Sequence, residues 1–307
     1  MYLCFVLKVK HMNHKEVLSI SSSQLKNLKN KILDIVDVEK PPTIEYAVQL
    51  SKVVSKLSPL VGNMIEFSTV DLLNTYEWGS NGKWERQDPG FPDALFRSDN
   101  ITCKTGIEIK AWFPLATEIT ARFKDSVLMF QDDSINVALI AWMPEYVIYG
   151  KPQIIDVLVV SGKSVAEARD KHYHKPPTYL VVEPEDTSER TGNLQQTNTN
   201  GYKFQEDKSD IDNAKEYVKS FGKEFLTYSP TKEYQDKLKV LQGKYVYRAD
   251  TNYAKIDRIE HTEIEAFKNR IENEILFQGK TIKEWRKLLT NKSQKKKLER
   301  ELRKLIV

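Results

Sequence analysis

Between residues 17 and 36, apolar side chains recur at spacings of three, four and seven: Leu18, Leu25, Leu28, Ile32 and Ile35. That spacing predicts a helix from Val17 to Val36. Pro41 and Pro42 end it, and a second helix is expected to open near Thr43 with Ala47, Leu50, Val53, Val54 and Leu57 on its apolar face. Thr75 to Gly90 is polar and contains glycines, the pattern of a loop. Strands are predicted at Asp93–Phe96, Gly106–Trp112, Ile135–Trp142, Ile154–Val160 and Tyr179–Glu183, with a short helix at Val165–Lys171. The central strands carry Ile, Val and Leu on both parities, as in a sheet covered on both faces.

From Pro184 to Asp207 aliphatic side chains almost vanish, Leu194 excepted. Helical spacing returns at Ile211–Tyr217, at Tyr234–Leu241 and along Glu263–Leu305. There is no internal repeat. Strands in the middle with helices before and after predict one α/β (α+β) domain over residues 1–307: a central mixed β-sheet flanked by helices, with a helical C-terminal elaboration. Its core would span about 43–183, a polar loop 184–207 and the helical part 208–307.

With 40% hydrophobic types, the 307 residues suffice for one large core or two modest ones. Lys plus Arg number 47 against 43 Asp plus Glu, a net +4, which excludes an acidic solvating chain and a uniformly basic one but leaves room for local basic surfaces. A mean hydropathy of −0.52, with no apolar run of 18 residues, leads us to expect no membrane span. Two cysteines, Cys4 and Cys103, exclude a disulfide scaffold and a multi-cysteine zinc module, and a reduced cytoplasmic compartment is expected. Met1–Leu7 is apolar but short, with no basic segment before it and no small-residue cleavage site, unlike a signal peptide. The first eleven residues read as an extension or an edge strand.

The chemistry concentrates in the centre. Pro92-Asp93 opens one predicted strand, and Glu108-Ile109-Lys110 lies on the next. Side chains alternate along a strand, so Glu108 and Lys110 share a face opposite Ile107, Ile109 and Ala111. Asp93 and Glu108 offer hard oxygen ligands of the kind Mg²⁺ takes beside its waters and a substrate phosphate. Lys110 is placed to orient an attacking water or to stabilise charge developing on phosphorus. The pattern suits metal-assisted phosphodiester hydrolysis. A buried Glu–Lys ion pair holding two strands has the same signature.

Asp93…Glu108-x-Lys110 resembles the PD-(D/E)xK motif shared by many type II restriction endonucleases and DNA-repair nucleases, and within that superfamily the chain is similar to the EcoRV-like restriction enzymes. The similarity covers roughly Glu45 to Asn200 as scattered short motifs. It implies a restriction-endonuclease-like fold, Mg²⁺, double-stranded DNA as substrate, 5′-phosphate products and an auxiliary acid from an upstream helix, matched here by Glu45. It also implies a glutamine-bearing minor-groove loop, matched by Gln87, and a base-reading loop in the major groove, matched by Gly192, Asn193, Gln195, Gln196, Thr197, Asn198, Thr199 and Asn200. Glu108 stands where the EcoRV-like pattern has aspartate, which the superfamily permits. The chemistry of that last loop agrees: Asn and Gln pair bidentately with adenine, and threonine contacts thymine. A low-complexity surface loop is its other reading. Two antiparallel strands and one site per chain imply a homodimer, with the Leu25–Ile35 segment as candidate contact.

Arg122 and Lys124, with Thr120 and Ser126, follow the motif strand and are candidates for flanking phosphates, as ordinary surface charge would also explain. Lys280 to Lys304 holds eleven basic residues against three acids, with Ile282, Trp285, Leu288, Leu289, Leu298, Leu302 and Leu305 at helical spacing. One face of such helices packs while the other meets solvent or phosphate. His172 and His174 lack a third ligand nearby, and Cys103 lacks a base. There is no glycine-rich phosphate loop, so no nucleotide cofactor is expected, and no serine or cysteine nucleophile motif. A structure-selective repair nuclease or junction resolvase and a non-catalytic DNA-binding protein are the alternatives.

Overall fold

The computed structural model describes residues 11–88, 90–116, 119, 121–123, 130, 132–173, 180–184, 201–226, 229, 231–250 and 255–306. In chain order the helices are α1 His14–Lys26, α2 Ile44–Val53, α3 Ser58–Leu73, α4 Gly162–Tyr173, α5 Ile211–Lys219, α6 Lys232–Lys244, α7 Thr262–Asn269, α8 Ile282–Thr290 and α9 Lys295–Ile306. The strands are β1 Lys83–Arg86, β2 Ala94–Arg97, β3 Gly106–Trp112, β4 Ile135–Pro144, β5 Pro152–Ser161, β6 Leu180–Pro184, β7 Gly201–Glu206, β8 Val246–Asp250, β9 Leu276–Phe277 and β10 Lys280–Thr281. Among the described residues no helix is long and apolar enough to cross a membrane.

Two compact units emerge: residues 1–118, 132–162 and 263–307 form the first, and 119–131 with 163–262 the second. The helical part expected at 208–307 contributes residues to both. In the first unit five strands form one mixed sheet in the order β1-β2-β3-β4-β5, with β3 and β4 parallel and the other neighbours antiparallel. β4 is buried along its length except at Asn136, as its unbroken apolar run requires. The second unit has a three-stranded sheet, β6-β7-β8, closed over by α5 and α6 around Leu180, Phe204, Val218, Phe225, Leu238 and Leu241.

The predicted helix over Val17–Val36 is halved. A capping box starts α1, in which Asn13 Oδ1 accepts from the Glu16 N–H (3.0 Å) and Glu16 Oε2 from the Asn13 N–H (3.0 Å). The helix stops at Lys26, and Asn30 turns into the left-handed region (φ 64°). The chain then runs extended beside β5, where Asn30 N–H donates to the Ile154 carbonyl (2.8 Å) and Leu33 N–H to that of Pro152 (2.8 Å). From Asn27 to Ile35 the chain is therefore not helical, unlike the helical dimer element expected at Leu25–Ile35.

Several elements stand where none was expected, β8 at Val246–Asp250 among them. α3 occupies Ser58–Leu73, after a 3-10 turn at Val54–Leu57. β1 lies inside the predicted loop Thr75–Gly90, held by buried Trp84, whose ring lies near those of Phe96 (5.3 Å between centroids) and Trp78 (6.4 Å). β7 occupies the last residues of the predicted loop 184–207. The stretch Glu263–Leu305 is not continuous: a π-helical turn at Arg270–Glu274 and a hairpin, with Gln278 and Gly279 both at positive φ, separate α7 from α8, and a 3-10 turn at Lys292–Gln294 separates α8 from α9. The extension or edge strand expected at the N-terminus falls on residues 1–10, outside the described residues.

Candidate functional site

Within the first unit, three neighbouring elements bring carboxylates and an ammonium together. β3 enters at Gly106, where an added Cβ would lie 2.2 Å from Pro92 Cγ and 2.7 Å from the Ala94 carbonyl, so only glycine lets β3 approach this closely. That approach seats Asp93, just before β2, against Glu108 and Lys110. Ile109 N–H donates to Asp93 Oδ2 (2.6 Å), and Asp93 N–H donates to Glu108 Oε2 (3.2 Å). Lys110 Nζ closes on Glu108 Oε1 and stands 3.6 Å from Asp93 Oδ2. On the other face Ile107 and Ile109 are buried, as period-two alternation requires, while Glu108 is itself only 7% exposed. Burial pushes the Lys110 ammonium down, but the Glu108 and Asp93 carboxylates outweigh it, and its pKa is raised.

A further carboxylate reaches this cluster from α3. Glu66 feels the charges of both Asp93 and Lys110, and burial first, then Asp93, raises its pKa above the usual 4.5. Arg86, on β1, pairs with Glu66 (3.1 Å) and with Asp88 (2.8 Å). α3 can supply this group because it packs on β3, with Gly62 facing the Ala111 Cβ at 3.6 Å from where its own would stand.

The helix acid expected at Glu45 is elsewhere. Glu45 is exposed in the first turn of α2, a helix that packs against α9, and hydrogen bonds from its own backbone and from Thr43 hold its carboxyl below the usual range, with Arg303 on α9 adding to them. The helix carboxylate that feels the charge of Asp93 is Glu66, one helix further along the chain. The signal was present: Glu66 is a charged intrusion in the apolar run Leu60–Leu73, the same irregularity that singled out Glu108.

Gln87 lies beside the cluster but half-buried. Its backbone N–H donates to the Asp93 carbonyl (2.8 Å), and its amide, oriented to suit its neighbours, donates to the Phe91 carbonyl (3.1 Å) and accepts from Arg97 (3.3 Å). Its visible work is to hold the turn that carries Asp93. Arg122 belongs to the second unit, in a bridge with Lys255. Lys124, Thr120 and Ser126 lie outside the described residues, as do Gly192, Asn193, Gln195, Gln196, Thr197, Asn198, Thr199 and Asn200. In the C-terminal segment the apolar side chains Ile282, Trp285, Leu288, Leu298 and Leu302 are buried, while Lys283, Lys287, Lys296, Arg300 and Arg303 are exposed.

Among the described residues no group of three or more His, Cys, Asp or Glu is arranged to hold a metal ion. The Asp93 and Glu108 carboxylates converge on the Lys110 ammonium. Two carboxylates are the hard oxygen donors that Mg²⁺ takes, and Asp93 and Glu108 would be the residues to hold it. No protein-family model matches the chain, and neither a curated protein nor a solved structure matches it.

Proposed function

We propose that the protein is a Mg²⁺-dependent, sequence-specific endonuclease of double-stranded DNA, a type II restriction enzyme of the PD-(D/E)xK superfamily that leaves 5′-phosphates. The observation carrying this proposal is the convergence of Asp93, Glu108 and Lys110 across β2 and β3, with Glu66 beside them. Asp93 and Glu108 would hold the metal, which when bound supplies Lewis-acid polarisation of the phosphate and lowers the pKa of a water.

The remaining roles fall to the chain itself. Hydrogen bonds from the Ile109 and Asp93 backbone fix the two carboxylates before substrate arrives. Lys110 carries a full positive charge at neutral pH, since its pKa is raised. It therefore stabilises the phosphorane oxygens and holds the attacking water, rather than removing a proton itself. Glu66, with its affinity for a proton increased, is the group in this cluster suited to accept one. The exposed cations of α8 and α9 add sequence-independent attraction to a phosphate backbone. The alternative of a purely structural ion pair is favoured by the direct Lys110–Glu108 contact, and the same experiment decides between them.

Purified protein is incubated with long duplex DNA and Mg²⁺, alongside Asp93→Ala and Lys110→Ala and a control with chelator. Discrete, metal-dependent bands that each variant reduces at least about a hundredfold are expected. A smear in place of bands supports a structure-selective nuclease. Absence of both cleavage and Mg²⁺ binding in the native protein would leave the acids as a sheet-holding ion pair and defeat the catalytic reading.

A further inference from the structure

We infer that α3 is a self-association surface, pairing antiparallel with α3 of a second copy of the chain across a two-fold axis. Its inner face, Val61, Ile65, Thr69 and Leu73, is buried. Its outer face is apolar as well. On α3 itself Leu60, Met64 and Phe67 follow one another at intervals of four and three, preceded by Leu57 in the 3-10 turn that leads into α3 and by Val53 at the end of α2. Val53, Leu60 and Phe67 are 52%, 53% and 54% exposed. Alternating intervals of three and four are the seam along which two helices interlock, and a row of large apolar side chains left in water along one helix face marks an interface.

Charge selects a second copy, and its direction. Lys56, in the 3-10 turn that leads into α3, and Asp71, in the last turn of α3, are both exposed and neither has an ion-pair partner among the described residues. With the dyad passing beside Asn63 and Met64, Leu60 of each copy meets Phe67 of the other, and Lys56 meets Asp71. Each contact is made twice, as an isologous interface demands. A parallel pairing would set Lys56 on Lys56 and Asp71 on Asp71, which like charges oppose. The surface is thus complementary to itself in one orientation.

The seam adjoins the cluster described above. Phe67 is the next residue after Glu66, and the Arg86 guanidinium that pairs with Glu66 lies 4.1 Å from the centre of the Phe67 ring. Association would shut water away from that ion pair. The inference rests on the helix face alone and stands whether or not the chain is a nuclease.

Sedimentation equilibrium of the full-length protein, without DNA or metal, tests it. A dimer is expected at concentrations up to about 100 µM, above the dissociation constant of even a weak specific interface. Leu60→Asp with Phe67→Asp should give a monomer whose circular dichroism is unchanged, because both side chains are more than half exposed. Lys56→Glu or Asp71→Lys alone should weaken the dimer about tenfold, and the two together should restore it. A native protein monomeric throughout that range overturns the inference. So does a dimer indifferent to Leu60→Asp with Phe67→Asp, or a double charge swap no tighter than either single one. Cleavage is not the readout, so failure here and failure of the nuclease proposal are distinguishable.

Discussion

At the scale of single residues, Glu66 shows how position changes a carboxylate. Glu45, exposed and bound to the N-terminal turn of its own helix, is held below the ordinary range by hydrogen bonds from its own backbone and Thr43. Glu66, half-sheltered beside Asp93, is pushed above it. A carboxyl whose folded-state pKa is raised favours folding most below its unfolded value of 4.5, and that contribution fades as the pH rises through the folded value. Carbon-detected NMR titration of the metal-free protein should place the Glu66 midpoint above 4.5. Asp93→Asn should lower it by removing the second of its causes. A midpoint unmoved by that substitution would mean that the Asp93 charge does not reach Glu66.

Whole elements show a different economy. α9 is fastened through Glu301, a buried carboxylate paired with Lys304 (2.9 Å), Lys280 at the start of β10 (3.2 Å) and Arg300 (3.3 Å). The Lys304 hydrogen bond first, then Lys280, lowers its pKa from 4.5 to about 2 despite burial. A depressed carboxylate stabilises the fold above its unfolded pKa, and that stabilisation disappears as the pH falls toward the folded value. Glu301→Gln should therefore cost roughly 1–3 kcal/mol at neutral pH, with the deficit shrinking between pH 4.5 and about 2. Urea titrations of both proteins at several pH values measure this; a deficit that stays constant with pH would dismiss the ion pairs as its source.

At the scale of the molecule, a net charge of +4 conceals a strong asymmetry. On α9, Lys296, Arg300 and Arg303 follow one another at intervals of four and three on the side opposite buried Leu298 and Leu302. Among the described residues neither α8 nor α9 leaves a large apolar side chain exposed. On the proposed substrate, Lys296→Glu with Arg300→Glu and Arg303→Glu should weaken binding to duplexes of every sequence alike. The slope of log K against log salt should fall by about 3, with sequence preference intact. Fluorescence anisotropy over a salt series is the check, and an unchanged slope would take these residues out of the interface.

Much of this protein is legible in its residues read singly and in short runs. β2, β3, β4, β5 and β6 stand within two residues of their predicted starts, and Asp93, Glu108 and Lys110 meet as period-two alternation on adjacent strands requires. Such features are local: a few consecutive side chains decide which face of a strand each one takes. What depended on distant neighbours was not legible. α3 is apolar nearly all round, so it carries no clear helical stripe, and it owes its place to packing on β3 with one face and exposing the other. β1 is a polar edge strand recruited by the rings of Phe96 and Trp78 around Trp84. Residues 30–33 keep helical spacing yet pair with β5, because Asn30 turns the chain and β5 offers free backbone groups beside it. The choice of Glu66 over Glu45 as the acid beside Asp93 is of the same kind. Both sit on helices upstream of the motif, and only the packing of α3 on β3, with α2 on α9, decides which carboxylate reaches it.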